Sequence, residues 1–591
     1  MDSGPTSAET MMRALVSEGV TVVFANPGTT EMWLVGAMDK IPSIRPILCL
    51  HETVCSGAAD GYARMTRKPA CTVRPRPDPY LVLHFRARGA PSTNLPMHPD
   101  FLQVLHLGPG LANAIANLHN ARRANSPLIN IVGDMATWHH GADALLEMDI
   151  ESLARTVSAH VHTSTLPGSL RADALEALRA TKVGAFDAPI SKGRVATLIV
   201  PHDRSSERPG KLMEGLMNDY HDEDISNVCA HAAADMRDFL SRCAATLLAA
   251  SPGKTAIFCG GEALLAESGS LQAAGTIAAM IDGELIIENA FSRLDRGGDL
   301  PHPKRLPYFP NDAAKALAAF DVIVTVGARR PVAMFGYDGA GPSHLLRLDE
   351  SKIWELDAGA MVPEMLTTLR DEVARQLGRE TTLKNKDSSR RKDWTVPKTP
   401  PSPSRMNTSG ERLTAAEMCM MVAAVQPEGA IVVDESLTSG GAYWDASARC
   451  PRFTHLSLTG GAIGFGPPAA VGAAIACPDR KVINLQADGS GLYAPQALWT
   501  QARERLDVVT IVCSNAKYAI LKLELALQKV GVPGSASREL TDITNPQIDW
   551  TSLARGFGVP ARRAETAYEL GEALREALDR AGPSLIEAVL Q

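Results

Sequence analysis

Asp488 and Asn515 are the two side chains of this sequence best placed to hold a hard cation. Asp488 lies in Gln486-Ala487-Asp488-Gly489-Ser490, and Asn515 opens Asn515-Ala516-Lys517-Tyr518, 27 positions later. Mg²⁺ takes a few well-placed protein oxygens and fills its remaining positions with phosphate and water. One carboxylate, one amide oxygen and small neighbouring residues suit a Mg²⁺ ion that carries a diphosphate. Glu52 is the other residue of chemical interest. It opens a stretch that runs to Asp60-Gly61-Tyr62-Ala63-Arg64. Alone, a glutamate at a strand-to-helix junction reads as a first-turn residue facing the helix dipole.

The flanking residues must put these groups at strand ends. Lys481–Leu485 reads as a buried parallel strand, Ala494–Glu504 as a helix whose start points at the diphosphate, and Val508–Cys513 as the next strand. Glu52 follows a strand at Pro46–Leu50 and precedes a helix at Thr53–Met65. Earlier still, a strand at Val20–Phe24 ends in the turn Asn26-Pro27-Gly28-Thr29-Thr30, and later strands are expected at Leu128–Val132 and Val195–Val200. A middle segment carries strands at Thr255–Cys259, Glu284–Ile287 and Val322–Val326. The sequence divides into a first domain, 1–205, a linker, 206–229, a central domain, 230–378, a Lys-, Ser- and Pro-rich linker, 379–410, and a last domain, 411–591. Repeated β-α units predict an α/β fold of three doubly wound parallel sheets. Ligands in such sheets bind at the carboxyl ends of the strands, where Asp488, Asn515, Glu52 and Thr29 all fall.

A chain of 591 residues needs more than one core, and 45% hydrophobic with 21% charged residues is ordinary for a globular protein. A net charge of −7, without a basic stripe, gives no reason to expect nucleic acid. No run of 18 apolar residues and no signal peptide are visible, so a cytoplasmic protein with no membrane partner is expected. Ten scattered cysteines without a Cys-x-x-Cys pair read as buried free thiols. No Gly-x-Gly-x-x-Gly follows a strand, which counts against a nicotinamide oxidoreductase.

The pair at 488 and 515 resembles the motif of thiamine-diphosphate (ThDP) enzymes, Gly-Asp-Gly followed by a spacer and Asn-Asn. The resemblance extends along nearly the whole chain, through Asn26-Pro27-Gly28-Thr29-Thr30-Glu31, His51-Glu52, Leu105-His106-Leu107-Gly108-Pro109-Gly110, Arg305-Leu306-Pro307-Tyr308-Phe309-Pro310 and Gly460-Gly461-Ala462-Ile463-Gly464-Phe465-Gly466. The sequence is similar to acetolactate synthase large subunits and benzoylformate decarboxylases. The resemblance implies pyrimidine-binding, central and diphosphate-binding domains in that order. It also implies active sites shared between subunits of a homodimer or homotetramer. Asp488, the Asn515 side chain and the Lys517 carbonyl would hold Mg²⁺; Gly489 and Ser490 would approach the diphosphate. Ile463 would be the apolar wedge that bends the cofactor. Glu52 would bond to the aminopyrimidine and activate the cofactor, which needs an acid held in a dry pocket. Thr29 and His106 would face substrate, His106 relaying a proton or binding the carboxylate. A structural histidine remains the alternative there. His139 and His140 are weaker candidates.

The departures are informative. Ala487 and Ser514 replace a Gly and an Asn of the motif, and both are small. Leu306 stands where benzoylformate decarboxylases carry a second histidine, and Ile520, Lys522 and Glu524 do not favour an aromatic substrate. Flavin-binding features are not recognisable in the central segment, which counts against FAD. Val73 to Gln103, 31 residues rich in proline, interrupts a strand expected to run from Ala70-Cys71-Thr72 into Val104-Leu105-His106. An unspliced intron is the preferred reading; a surface insertion is the alternative. The expected activity is a ThDP- and Mg²⁺-dependent carboligase of the acetolactate synthase type acting on a small 2-oxo acid. The alternatives are a simple 2-oxo acid decarboxylase and a catalytically inactive binding or regulatory subunit.

Overall fold

The structure, a computed structural model, describes residues 4–66, 101–182, 194–208, 226–336, 343–356, 361–378, 411–528, 530–531 and 533–591. In the first domain β1 (Val22–Asn26), β2 (Arg45–Leu48), β3 (Phe101–Leu105), β4 (Leu128–Asp134), β5 (His160–Thr163) and β6 (Val195–Pro201) run parallel in the order β2-β1-β3-β4-β6-β5. The central segment supplies β7 (Thr255–Cys259), β8 (Glu284–Ile287), β9 (Arg293–Arg296), β10 (Lys304–Arg305), β11 (Val322–Val326) and β12 (Ile353–Leu356). Five of these form a parallel sheet, β10-β8-β7-β11-β12. The last domain contains β13 (Ile431–Glu435), β14 (Phe453–Ser457), β15 (Val482–Ala487), β16 (Val508–Ser514), β17 (Ala561–Ala564) and β18 (Ser584–Val589). Strands β4, β6 and β16 are buried along their whole length. Helices cover both faces of a parallel sheet, so its strands read as continuous apolar runs.

The third sheet departs from the expected plan. Its order is β17-β18-β16-β15-β13-β14-β9, and β9 pairs antiparallel with β14. A strand of the central segment therefore completes the sheet of the last domain. Its sequence, Arg-Leu-Asp-Arg, carries no strand signal, yet all four residues are buried. Burial is possible because the Arg296 guanidinium lies 3.9 Å from the Trp444 ring centroid and also bonds to the Trp444 carbonyl.

Two further devices join the first and last domains. The helices Glu52–Thr66 and Gly466–Ala476 meet backbone to backbone. A Cβ on Gly61 would lie 2.2 Å from the Ala469 carbonyl oxygen, and one on Gly472 would lie 1.9 Å from that of Ala58. Arg64, fully buried, donates to both carboxylate oxygens of Asp60 at 2.9 and 2.6 Å, to the carbonyls of Ser292 and Ser457, and to the Thr459 hydroxyl. One guanidinium thus ties all three segments, each of its bonds replacing lost hydration.

The strand leading to His106 is also built differently from expectation. β3 begins at Phe101, so residues 101–103 of the expected insertion lie within the sheet. Leu102 is fully buried, and Gln103 donates to Asn130 Oδ1 at 3.0 Å. Ala70–Thr72 and the rest of Val73–Gln103 up to residue 100 lie outside the described residues, as do 209–225 and 379–410 of the two expected linkers. A helix, Ser226–Ala249, starts inside the first of those linkers. Among the described residues no helix is long and apolar enough to cross a membrane, and eight cysteines are free thiols, seven of them buried.

Candidate active site

Two groups of residues form, at the carboxyl ends of the first and third sheets. In the first, β1 ends at Asn26 and a single turn, Thr29–Glu31, follows. Glu31 is fully buried. Its Oε2 accepts from the Gly28 amide at 2.7 Å and lies 2.9 Å from His106 Nδ1, while Oε1 accepts from the Thr30 hydroxyl at 2.5 Å. A carboxylate only accepts, so this contact is a hydrogen bond when the His106 ring carries its proton on Nδ1, which leaves Nε2 as the free nitrogen. Two glycines make room for this arrangement. A Cβ on Gly28 would meet the His106 ring at 2.2 Å, and one on Gly133 would lie 1.7 Å from Glu31 Oε1. His106 caps the helix Leu107–Arg123, and Leu107 takes a left-handed φ of 52° to turn the chain from strand to helix. For a branched residue this conformation costs on the order of 1 kcal/mol.

Glu52 begins its helix as expected and is almost wholly buried. Asn113, on the neighbouring helix, donates to its Oε2 at 3.0 Å. Gly110 separates it from the histidine: a Cβ there would lie 3.3 Å from Glu52 Oε1 and 3.5 Å from His106 Cβ. Thr29 is exposed at the rim, and the hydroxyl near the imidazole belongs to Thr30, 3.3 Å from Nδ1. His140 is half-exposed and pairs with Asp134 at 3.2 Å. Leu306 packs into the apolar core of the central sheet.

The second group lies at the ends of β15 and β16. Asp488 is buried; Oδ1 accepts from the Gly489 amide at 2.8 Å and Oδ2 from the Ala516 amide at 2.6 Å. Burial raises its carboxyl above the ordinary aspartate range, those amides opposing the shift only in part. Ala516 is left-handed, φ 54°, which sets Asn515 and the Lys517 backbone on either side of it. Asn515 Oδ1 accepts from the Lys517 amide at 3.1 Å, and its Nδ2 donates to Ser439 at 3.3 Å. The helix that follows Asp488 is a single turn, Asp488–Gly491, and the longer one begins only at Ala497. Ser490 accepts from Gln486 Nε2 at 2.6 Å. A Cβ on Gly489 would strike the Tyr518 ring at 2.5 Å, so only glycine keeps this turn open.

These residues fit a Mg²⁺–diphosphate. The donors are all oxygen, and a cation would relieve the desolvated Asp488 carboxylate. Ile463 lies on the loop between the two groups, partly exposed, with its neighbours Ala462 and Gly464 bonded to Asn120 and Asn117 of the first domain. No hydrogen bond or ion pair among the described residues joins Glu52 or His106 to Asp488 or Asn515 in one chain. Sequence reasoning missed Glu31, Asn113 and Ser439. Glu31 lay within the quoted Asn26–Glu31 motif, and three residues after Gly28 it fits a helix-capping carboxylate.

Comparison with known proteins identifies the family. The family model for the thiamine pyrophosphate enzyme N-terminal TPP binding domain matches residues 5–76 and 102–153; that for the C-terminal TPP binding domain matches residues 440–588. The match is interrupted between residues 76 and 102, within the segment singled out above. A Mycobacterium tuberculosis protein provisionally named acetolactate synthase large subunit IlvX is 38% identical, covering 99% of this chain and 98% of its own. The benzoylformate decarboxylase of Pseudomonas aeruginosa is 28% identical, over 97% of this chain and 96% of its own. Among solved structures, the ThDP-dependent 4-hydroxybenzoylformate decarboxylase of Rhodococcus jostii RHA1 superposes with a TM-score of 0.75 at 24% identity, covering 99% of both chains. The chain belongs to the thiamine-diphosphate-dependent enzyme family, with acetolactate synthase large subunit-like and benzoylformate decarboxylase-like proteins among its homologues.

Proposed function

We propose that the protein is a ThDP- and Mg²⁺-dependent enzyme that decarboxylates a small 2-oxo acid and passes the remaining acyl unit to a second carbonyl, as in acetolactate synthesis. The observation that carries this reading is the pair of half-sites, a buried acid at Glu52 and an all-oxygen cradle at Asp488, each at strand ends of its own domain. When bound, ThDP supplies the electron sink that lets CO₂ leave a 2-oxo acid. Glu52 holds a proton for the aminopyrimidine, and Asn113 fixes the rotamer of its carboxyl. Asp488, Asn515 and the Lys517 carbonyl would hold the metal, with Gly489 and Ser490 beside the diphosphate and Ile463 as the wedge. His106, with Nδ1 held by Glu31, would have Nε2 to take or return a proton.

Apolar side chains are exposed around both halves: Trp33, Trp138 and Met148 in the first domain, Tyr493, Leu521 and Leu523 in the last. Such surfaces favour association. We infer a homodimer or homotetramer in which Glu52 of one copy meets Asp488 of another. Simple decarboxylation is the second reading, and His106 favours it, because release of an aldehyde requires delivery of a proton. Incubation with ThDP, Mg²⁺ and a panel of 2-oxo acids, with CO₂, aldehyde and acetolactate-type product assayed separately, tests both readings. Glu52→Gln should bind ThDP normally and lose roughly 10²-fold or more in rate. Folded, cofactor-loaded protein that releases CO₂ from none of the acids would overturn the proposal.

A further inference from the structure

The site just described does not use Glu435, a buried carboxylate of the last domain. Glu435 ends β13 and is 1% exposed. Its Oε1 accepts from the Gly464 amide and its Oε2 from the Gly466 amide, both at 2.6 Å. No basic side chain among the described residues pairs with it, and burial pushes its carboxyl up to about 7. Register places it beside Gln486 on β15, with Asn484 two residues back on the same face. All three side chains converge on Gly466: a Cβ there would lie 2.2 Å from Gln486 Oε1, 2.7 Å from Asn484 Oδ1 and 3.2 Å from Glu435 Oε2. Gln486 in turn donates to Ser490, beside Asp488.

We propose that Glu435 is a positioning residue for the cofactor, fixing Ile463 by clamping the amides on its carboxyl side and linking that loop through Gln486 to the diphosphate turn. This inference rests on the functional reading above. The loop needs such a clamp. Gly461 and Gly464 have left-handed φ values of 73° and 93°, and glycine gives a chain more freedom than any other residue. On the amino side of Ile463, Asn120 bonds the amides of Gly460 and Ala462 and the carbonyl of Ala462. On the carboxyl side, Glu435 holds the amides of Gly464 and Gly466. The choice of an acid is chemically specific. Two N–H groups converge, and a carboxylate offers an oxygen to each, whereas a glutamine offers one oxygen and sets an N–H against the other donor. An unneutralised carboxylate in this place is costly, and the two amides offset part of that cost.

The test compares Glu435→Gln and Glu435→Asp with the parent protein. In the cofactor-free protein, amide exchange at Gly464 and Gly466 should accelerate at least ~10-fold, because the amides lose their acceptors and open more often. With ThDP and Mg²⁺ bound, deuterium exchange at the thiazolium C2 should slow at least ~10-fold while ThDP affinity changes less than about threefold. If C2 exchange in the folded fraction matches the parent and only the melting temperature falls, Glu435 is merely structural and the proposal fails. Unchanged amide exchange in either variant overturns it as well. Glu52→Gln is the control. If Glu52→Gln leaves C2 exchange unchanged, the functional reading fails, and the clamp is then judged by amide exchange alone.

Discussion

Replacing Glu31 tests whether His106 is set up by the buried carboxylate behind it, and two substitutions separate the contributions. In Glu31→Gln one oxygen becomes an N–H₂ group. The favourable orientation keeps the amide oxygen toward Gly28 and His106 and turns the nitrogen to Thr30, whose hydroxyl can accept as well as donate. The Gly28 amide and His106 Nδ1 keep their acceptor and Nδ1 keeps its proton, while the Thr30 hydroxyl becomes the acceptor and must turn its own proton elsewhere. What disappears is the charge: a charge-assisted bond to the imidazole becomes a neutral one, a loss of about 1 kcal/mol, or on the order of 5- to 10-fold in any step that places positive charge on the ring. In Glu31→Leu the volume is roughly conserved but the Gly28 amide, the Thr30 hydroxyl and His106 Nδ1 lose their acceptor together. At roughly 1–3 kcal/mol for each buried orphan, with the hydroxyl free to turn elsewhere, the cost is at least about 2 kcal/mol of stability. The imidazole is then free to change tautomer, and roughly 10²-fold or more of the rate should go with it. Steady-state rates of CO₂ release, combined with nitrogen NMR of labelled histidine to identify the protonated ring nitrogen, read both effects. The expected order is parent, Gln, Leu, with the Nδ1–H tautomer retained in Gln and lost in Leu. Equal rates for Gln and Leu, or a parent tautomer protonated on Nε2, would refute the argument.

Asp488→Ala should abolish Mg²⁺-dependent ThDP affinity, because it removes the one charged oxygen ligand in the cradle; calorimetry showing unchanged affinity would remove the metal assignment. Gly61→Ala should destabilise the fold by about 1–3 kcal/mol or more, since the 2.2 Å contact is with a backbone oxygen that no rotamer change can move; an unchanged thermal midpoint would show that the helix crossing yields. His302 is held neutral by burial beside Arg296, its folded-state pKa lowered from 6.5 to about 4. As pH falls from 6.5 towards 4 the unfolded chain takes up a proton that the folded protein refuses, so stability present above 6.5 is lost across that window. His302→Phe should flatten this acid limb in urea titrations, and an unaltered pH dependence would exclude His302 as its source.

The parts of the fold legible in the sequence are those fixed by local apolar runs. β7, β8 and β11 occupy the expected residues because a parallel strand covered on both faces is largely apolar, and only Thr255, Glu284 and Thr325 interrupt these runs. Asp488, Asn515 and Glu52 stand at strand ends for the same reason, since the runs before them define those ends. The parts that were not legible depend on partners distant in sequence. β9 is polar by composition and becomes a buried strand only because Trp444 and the edge of β14 receive it. Phe101-Leu102-Gln103 follow a proline-rich stretch, and their strand character is decided by β1 and β4 on either side. Glu31 and Glu435 read as ordinary acids, one in a turn and one closing a strand. Nothing in their neighbours announces that two amide donors will converge on Glu435, or an amide, a hydroxyl and an imidazole on Glu31.

The same physical device recurs at each functional loop. Leu107 follows His106, Leu437 precedes Ser439 by two residues and Ala516 follows Asn515, and each holds a left-handed φ that its side chain disfavours. Each strained residue is fixed by a strand behind it and a helix or turn ahead, so the surrounding packing supplies what local preference withholds. The polar groups are treated in the same manner. Glu31, Glu435 and Asp488 are buried acids whose oxygens are met by backbone N–H groups, joined at Glu31 by a hydroxyl and an imidazole, rather than by lysine or arginine. An amide donor satisfies a carboxylate while leaving most of its negative charge uncompensated. That charge remains available to an imidazole at Glu31 and, in the proposed function, to a divalent cation at Asp488. At Glu435 the acceptor oxygens face the loop that carries Ile463 and the Gln486 side chain beside it.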